Sequence, residues 1–365
     1  MSDATDLTRE LAAIPSHEDE TAAGDYIERW LSAETDGAVS RDAHGNVIAR
    51  RGEGETSLAL VGHHDVVPPD PSQVRDGEYV VQQRDERVYG RGTADMKGAV
   101  AAAMCAFRDA DLGAAGEYEL QFASFVGEET GGEGTRAAIA DGFVPNYAVV
   151  GEGSTGYSAS GVTDVAVAHK GRRGSTISVT GSAAHASEPE AGENAIYRAT
   201  DAVGVVRDLS FPETTVLGHE MQGSVAVTEI EGGSAWNVIP DSCSVTVDER
   251  TVPDARAPLA QVEDLPGVSL AIDQDLPPMA CDEPAFAELI LGAATAAQDS
   301  APEQVTKPHA TDAGWLARAG TTCVVCGAAE PGEAHTATES VSTAVLDRCY
   351  RIYRNAAEEF DPLAL

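Results

Sequence analysis

Lysine is nearly missing from this sequence. The 365 residues carry 24 basic side chains against 60 acidic ones, a formal net charge of −36, and only Lys97, Lys170 and Lys307 are lysines. A surface this acidic repels the phosphates of nucleic acids and of anionic membranes, so we expect neither as a partner. Concentrated salt screens such self-repulsion, and we therefore expect a halophilic protein adapted to a salt-rich cytoplasm.

Long apolar runs are missing as well. No stretch approaches the roughly 20 residues of a membrane span. The start, MSDATDLTRE, has neither the basic flank nor the apolar run of a signal peptide. The six cysteines are scattered, and the single CxxC, Cys323 to Cys326, lies in an apolar run without a second pair. Buried thiols in a reducing compartment are favoured over a zinc or redox site, and we expect a cytoplasmic protein.

Apolar periodicity divides the chain into three segments. Residues 1–170 alternate strand-like runs with alanine-rich helical stretches, a pattern typical of a mixed, largely parallel α/β sheet between helices. Residues 171–277 alternate polar and apolar positions in a β-α-β-β order, which favours a small α+β insert. Residues 278–365 return to helices and a strand. We therefore expect one discontinuous α/β domain, 1–170 with 278–365, interrupted by an inserted domain.

The stretch LALVGHHDVVP, residues 58–68, is the point around which the site is expected. Its apolar start predicts a buried parallel strand, which ends abruptly in His63, His64 and Asp65. In open α/β sheets, ligands bind at this carboxyl end of the strands. His63 and Asp65 are two residues apart and point the same way on an extended backbone, so the carboxylate can hold the imidazole or join it on a metal.

Further acidic residues and a second histidine follow at similar positions. Glu128 and Glu129 come directly after a predicted strand, Glu152 ends another, Asp95 lies in a glycine-rich loop, and His335 precedes the last helix. Two histidines and three carboxylates suit zinc, cobalt or manganese. Because Glu128 and Glu129 are adjacent, one can bind metal while the other stays free as a base.

The chain resembles the M20 family of co-catalytic metallopeptidases, in the acetylornithine deacetylase and succinyl-diaminopimelate desuccinylase branch. The resemblance rests on motifs in the same order and spacing: GHHDVVP, GRGTADMKG, GEETGGEGT, VGEGS and AHTATE. The insert contains GSAAHASEPEAGENAI, GGSAWNVIPD and VDER, which resemble the motifs of that family's lid. The resemblance implies that residues 171–277 form a ferredoxin-like lid and dimerisation domain, and that the protein is a homodimer joined through it.

The resemblance also implies a role for each matching residue. His63 and Glu152 would bind one metal ion and Glu129 and His335 the other, with Asp95 as the bridge between two divalent ions, zinc first and cobalt or manganese as alternatives. The resemblance further implies roles for residues that do not bind metal: Asp65 orients His63, Glu128 is the general base, His185 stabilises the oxyanion in the neighbouring subunit's site, and Asn237 and Arg250 hold the substrate.

The function implied is that of a dinuclear metal-dependent amidohydrolase, a deacylase or desuccinylase that frees an amino acid from its N-acyl group. Two alternatives stay open: an M20 metallo-carboxypeptidase or dipeptidase, and a non-catalytic metal-binding relative. Glu128 argues against the second alternative, because such a relative could lose this residue and still bind metal. One local departure from the family is CGAAEPGEAH, which replaces a glycine-rich run before His335. The resemblance also implies a cis peptide at Asp95–Met96.

Overall fold

A computed structural model of the chain describes residues 3–113 and 118–365. Met1, Ser2 and residues 114–117 fall within the predicted first domain and lie outside the described residues. The chain divides into two compact units. The first runs to Ala168 and resumes over Met279–Lys307 and Thr311–Leu365, and the second comprises His169–Pro278 with Pro308–Ala310. Among the described residues, no helix is both long and apolar enough to cross a membrane.

The chain forms helices and strands of the first unit, then those of the second unit, and then returns to the first unit. In chain order the helices are α1 (Asp3–Ala12), α2 (Thr21–Glu34), α3 (Gly98–Asp109), α4 (Glu133–Ala140), α5 (Ala195–Asp208), α6 (Pro284–Ala296), α7 (Asp312–Arg318) and α8 (Thr343–Glu359). In chain order the strands are β1 (Ala38–Arg41), β2 (Val47–Arg51), β3 (Thr56–His63), β4 (Val74–Arg75), β5 (Glu78–Tyr79), β6 (Gln82–Arg84), β7 (Arg87–Tyr89), β8 (Tyr118–Phe125), β9 (Tyr147–Val150), β10 (Val165–His169), β11 (Arg172–Thr180), β12 (Ala184–His185), β13 (Glu213–Val216), β14 (His219–Gln222), β15 (Ser224–Gly232), β16 (Val238–Ile239), β17 (Ser242–Arg250), β18 (Val268–Leu276), β19 (Met279–Ala280), β20 (Gln304–Lys307), β21 (Thr322–Val325) and β22 (Ser340–Ser342).

The first unit is built on a central sheet in the order β1-β2-β8-β3-β9-β21-β10-β19, with β20 paired to β10. Its middle strands β8, β3, β9 and β21 run parallel. The pairs β1–β2, β2–β8 and β10–β21 are antiparallel. The predicted mixed, largely parallel α/β sheet is therefore confirmed.

Small side chains bring α3 close against β3. Residues Gly98–Phe107 of α3 are buried, because five alanines give the helix an apolar surface on every side. A Cβ atom at Gly62 of β3 would lie 2.7 Å from Met96 Cε and 2.8 Å from Val100 Cγ2. Glycine at this position therefore lets the end of β3 approach the turn that precedes α3.

The second unit is an α+β fold with strands and helix in the order β11-α5-β15-β17-β18, and a 3₁₀ helix, Leu259–Asp264, precedes β18. Its antiparallel sheet has the order β15-β17-β11-β18, which is the ferredoxin-like arrangement. One sheet face packs against α5 through Ile177, Val245, Ala199 and Ala202, all fully buried. The predicted ferredoxin-like insert is confirmed as a fold.

Candidate metal centre

The carboxyl ends of three parallel strands carry the acidic and histidine side chains of the first unit. His63 is the last residue of β3, Glu128 and Glu129 follow the end of β8 at Phe125, and Glu152 follows the end of β9 at Val150. Neighbouring parallel strands end at the same edge of a sheet, so residues distant in sequence meet there. The topology alone brings these side chains to one place.

Two loops complete the group. Asp95 lies in a kinked turn, Thr93–Lys97, directly before α3, and the peptide bond between Asp95 and Met96 is cis. Gly92 begins this turn at a φ of +79°, and a Cβ atom there would lie only 2.6 Å from Val66 Cγ1. His335 lies in the loop before β22 with a φ of +62°. Both loops lie in the first unit, beside the strand ends.

Two groups of potential ligands form around Asp95. His63, Asp95 and Glu152 make one group and Asp95, Glu129 and His335 the other, and within each group the ligand atoms lie within 4.8 Å of one another. Asp95 Oδ1 is 3.2 Å from His63 Nε2, and Asp95 Oδ2 is 3.0 Å from His335 Nε2. His63 Nε2 is also 3.4 Å from Glu152 Oε1, and His335 Nε2 is 3.0 Å from Glu129 Oε1. The carboxylate of Asp95 thus offers one oxygen to each group.

The charges of these residues fit two divalent cations. Three carboxylates and two imidazoles are the donor set that zinc, cobalt and manganese accept. Hydrogen bonds from His335 to the carboxylates of Asp95 and Glu129 raise the pKa of His335 to about 10. Burial disfavours a charge on His63, but the carboxylates around it outweigh burial and raise its pKa well above the ordinary value. At both histidines the surrounding carboxylates therefore favour a positive charge.

The chain matches the model of peptidase family M20/M25/M40 over residues 59–359. The chain belongs to this family. The resemblance inferred from the sequence motifs is therefore confirmed.

The chain is also similar to individual proteins in sequence and to solved structures in fold. Acetylornithine deacetylase of Salmonella heidelberg is 31% identical over 213 residues, 57% of this chain and 54% of that protein. The match thus spans about half the length of the curated relative. The Bacillus cereus aminopeptidase PepT aligns with a TM-score of 0.80 at 18% identity over 98% of both chains. The Bacillus subtilis YxeP protein, described as a dinuclear metal-binding peptidase of the M20 family, aligns with a TM-score of 0.70 at 15% identity over 97% of this chain and 96% of that one.

Asp65 of this M20 chain contacts both ligand groups. Its Oδ1 lies 3.3 Å from His63 Nδ1, and its Oδ2 accepts a hydrogen bond of 3.0 Å from the main-chain N–H of Glu129. His63 Nδ1 also lies 3.1 Å from the main-chain oxygen of Asp65. Burial opposes the charge of Asp65, but the contacts with His63 and Glu129 outweigh it and hold its pKa below the usual range. A single carboxylate therefore supports a residue of each group.

Glu128 belongs to neither ligand group. Burial raises its pKa well above the ordinary value of a glutamate, and the nearby carboxylates of Glu152, Asp312 and Asp95 act in the same direction. Its neighbour Glu129 points instead to His335. Of these two adjacent glutamates, Glu129 therefore belongs to a ligand group, and the carboxyl group of Glu128 belongs to none.

The remaining sequence-predicted residues lie in the second unit. His185 is exposed on β12, with Nδ1 2.6 Å from Ser187 Oγ. It pairs with Val238 of β16, and the N–H of Ala186 donates to the main-chain oxygen of Asn237, so the structure brings His185 and Asn237 into one short ribbon. Arg250 ends β17, in the four-stranded sheet, and its Nε donates to Asp248 Oδ1 at 2.8 Å.

Sequence reasoning missed charged neighbours of the ligand groups. Lys307 Nζ lies 3.8 Å from Glu152 Oε2, and Glu339 accepts a hydrogen bond from the N–H of Asp95. Asp312 is buried, and burial raises its pKa to about 7. Two signals were present in the sequence: Lys307 is one of three lysines, and Glu339 closes the motif AHTATE.

Proposed function

We propose that this M20 chain is a dinuclear metal-dependent hydrolase that cleaves the amide bond of an N-acyl amino acid, of the N-acetylornithine or N-succinyl-diaminopimelate type. The observation that carries the proposal is Asp95, whose two carboxylate oxygens face two separate ligand groups. The similarity to acetylornithine deacetylase supports the N-acyl amino acid as substrate class.

The ligand groups supply the sites for two ions. His63 and Glu152 would hold one and Glu129 and His335 the other, with Asp95 shared, and zinc is the first choice for this donor set ahead of cobalt or manganese. When bound, such ions lower the pKa of a water and polarise the oxygen of an amide. Asp65 would keep the Nδ1 proton of His63 in place, so that Nε2 offers its lone pair.

Glu128 is proposed as the general base. It would take a proton from the attacking water and return it to the amine nitrogen as the amide bond breaks, which contributes typically about 10²–10⁴-fold to the rate. Its position outside both ligand groups and its raised pKa support this role, because a base works best when its pKa lies near the working pH.

The second unit is proposed as a lid and dimerisation domain. His185 would donate a hydrogen bond to the oxyanion in the neighbouring subunit's site, and Asn237 and Arg250 would hold the carboxylate of the substrate. The exposed position of His185 supports the first role. The planar guanidinium of Arg250 supports the second, because it matches a carboxylate with two parallel hydrogen bonds. We further propose a homodimer in the cytoplasm that binds neither nucleic acid nor membrane, as the net charge of −36 favours.

A dipeptidase or metallo-carboxypeptidase is the second candidate. It is supported by solved structures of the same fold that include a metallo-carboxypeptidase and a dipeptidase. Both candidates use the same proposed ions and the same base, so they differ only in the acyl group that the substrate presents.

Turnover of a small substrate panel separates the two candidates. The protein is stripped of metal by a chelator and assayed in high KCl with added zinc, cobalt or manganese, on N-acetylornithine, N-succinyl-diaminopimelate, other N-acyl amino acids and dipeptides. We expect metal-restored release of a free amine from one N-acyl amino acid. Faster hydrolysis of dipeptides would favour the second candidate, and no turnover with two ions bound would contradict both.

Substitution of the proposed base tests the mechanism. Glu128→Gln is expected to keep metal binding and to lose about 10²–10⁴-fold in kcat. The matched control is Glu119→Gln, which changes a half-buried glutamate of β8 that pairs with Arg50 at 3.7 Å. Full turnover in the Glu128 variant would refute the assignment of the base.

A further inference from the structure

A buried ion pair lies beside the ligand groups. Arg91 Nη1 pairs with Glu339 Oε2, and the two side chains are only 4% and 0% exposed. Arg91 Nη2 also donates to the main-chain oxygen of Pro68 at 3.3 Å. Removing two charges from water is expensive, and a buried pair is weak evidence of a contribution to stability. The location of this pair therefore calls for another explanation.

The second oxygen of Glu339 contacts the backbone that carries Asp95. Glu339 Oε1 accepts hydrogen bonds from the main-chain N–H groups of Ala94, at 3.1 Å, and Asp95, at 3.3 Å. The main-chain oxygen of Glu339 accepts a third hydrogen bond, of 3.0 Å, from Gly90. Hydrogen bonds to a carboxylate are stronger than those between neutral groups. Glu339 thus fixes the turn from which the Asp95 side chain reaches both ligand groups.

Glu339 is also linked to the second histidine of the site. It follows His335 by four residues and directly precedes β22, which pairs with β7 in an antiparallel register, Ser340 opposite Tyr89. Because Arg91 follows β7, the ion pair joins the segment that bears His335 to the segment that bears Asp95.

We propose that Glu339, paired with Arg91, is a positioning residue that sets the Asp95 carboxylate between the two metal sites. The inference rests on the proposed function, because it concerns the same ions. Glu339 acts through the backbone of Asp95 and touches no reacting atom, so its loss lowers metal affinity and kcat and leaves KM unchanged.

A neighbouring ion pair provides the matched control. Arg87 pairs with Glu333 and donates from Nε to Ser340 Oγ at 3.0 Å, so it joins the same two segments of chain. Within the described residues, this pair makes no hydrogen bond with the N–H groups of Ala94 and Asp95. Glu333→Gln therefore weakens the link between the two segments and leaves the contact of Glu339 with the Asp95 turn unchanged.

The experiment compares wild type, Glu339→Gln, Glu339→Ala and Glu333→Gln by cobalt titration of the metal-free protein. Bound cobalt per chain, binding constants and the visible cobalt spectrum are measured alongside kcat, KM and a thermal melt. Because Asp95 is shared by both sites, we expect Glu339→Ala to weaken cobalt binding by about 10–100-fold, the usual effect of losing a group that orients a ligand. Glu339→Gln keeps an oxygen for the two N–H groups and nearly the same volume, but it loses the charge facing Arg91, so an intermediate effect is expected.

The outcomes separate this inference from the proposed function. If Glu339→Ala fails to fold, Glu339→Gln carries the test. Wild-type affinity and spectrum in the folded Glu339 variants would overturn the positioning role while the proposed function stands. An equal loss in Glu333→Gln would also overturn it, since the effect would then arise from docking of the segments. A wild-type protein that binds fewer than two cobalt ions would overturn both proposals.

Discussion

Asp65→Asn is the substitution whose effect the geometry defines best. Both carboxylate oxygens of Asp65 face donors: Oδ1 lies 3.3 Å from His63 Nδ1, and Oδ2 accepts from the N–H of Glu129. Asparagine has one oxygen and one amino group, so if its oxygen keeps the N–H of Glu129, its amino group faces His63 Nδ1. His63 Nδ1 still contacts the main-chain oxygen of residue 65 at 3.1 Å, so the new amino group is the donor left without an acceptor, at a residue only 3% exposed. Such a buried unsatisfied donor costs about 1–3 kcal/mol.

This cost is expected to appear in metal binding. Each 1.4 kcal/mol corresponds to about tenfold in a binding constant, so Asp65→Asn is predicted to weaken cobalt binding by about 10–100-fold, in line with other groups that orient metal-ligating histidines. Isothermal titration calorimetry of the metal-free protein measures it.

A matched substitution controls for general destabilisation. Asp164 is fully buried and also accepts through both oxygens, from Ser158 and from the N–H of Glu303. Asp164→Asn is expected to lower the melting temperature and to leave cobalt affinity unchanged. Wild-type affinity in Asp65→Asn, or an equal loss in Asp164→Asn, would show that Asp65 does not support metal binding through His63 and Glu129.

Three further predictions concern protons, subunits and salt. Because Asp95 and Glu129 raise the pKa of His335 to about 10, His335 is protonated at neutral pH in the metal-free protein, so metal uptake should release protons and metal affinity should rise with pH below that value. Calorimetry in buffers of different ionisation enthalpy measures the release, and buffer-independent heats would contradict it. Mixing inactive Glu128→Gln and His185→Ala proteins should restore part of the activity if subunits share sites, and no recovery after verified subunit exchange argues against sharing. Thermal melts in increasing KCl should show rising stability, since salt screens a net charge of −36; a melting temperature that does not rise with KCl would refute salt adaptation.

The fold was predictable because its signals are local and repeated. Leu58–Val61 forms an apolar run that is buried in the sheet, and from Ser175 to its end β11 alternates between buried and accessible side chains. The antiparallel strands β1, at one edge of the sheet, and β10, between β21 and β19, were not predicted individually, because strand direction depends on which neighbour each strand meets. The four residues of β1 and the five of β10 do not indicate which strand each will pair with.

Candidate ligands were easier to predict than the residues that support them. His63 and Glu152 follow apolar strands, and parallel strands end at one edge, so sequence and topology together place them near each other. Arg91 and Glu339 lie in the motifs GRGTADMKG and AHTATE, but neither residue follows an apolar strand. In a chain with 60 acidic residues, the position of Glu339 in a motif does not indicate its contacts, and only the structure shows it buried against the Asp95 turn.

We propose that two ions held around Asp95 make this chain a hydrolase. The most direct test is to remove metal with a chelator and to titrate zinc back while bound metal and release of the free amine from an N-acyl amino acid are followed in the same samples. We expect no turnover without metal, restoration of turnover on addition of zinc, and saturation at two zinc ions per chain. Full turnover in the metal-free protein, or no bound ion at saturating zinc, would contradict this proposal.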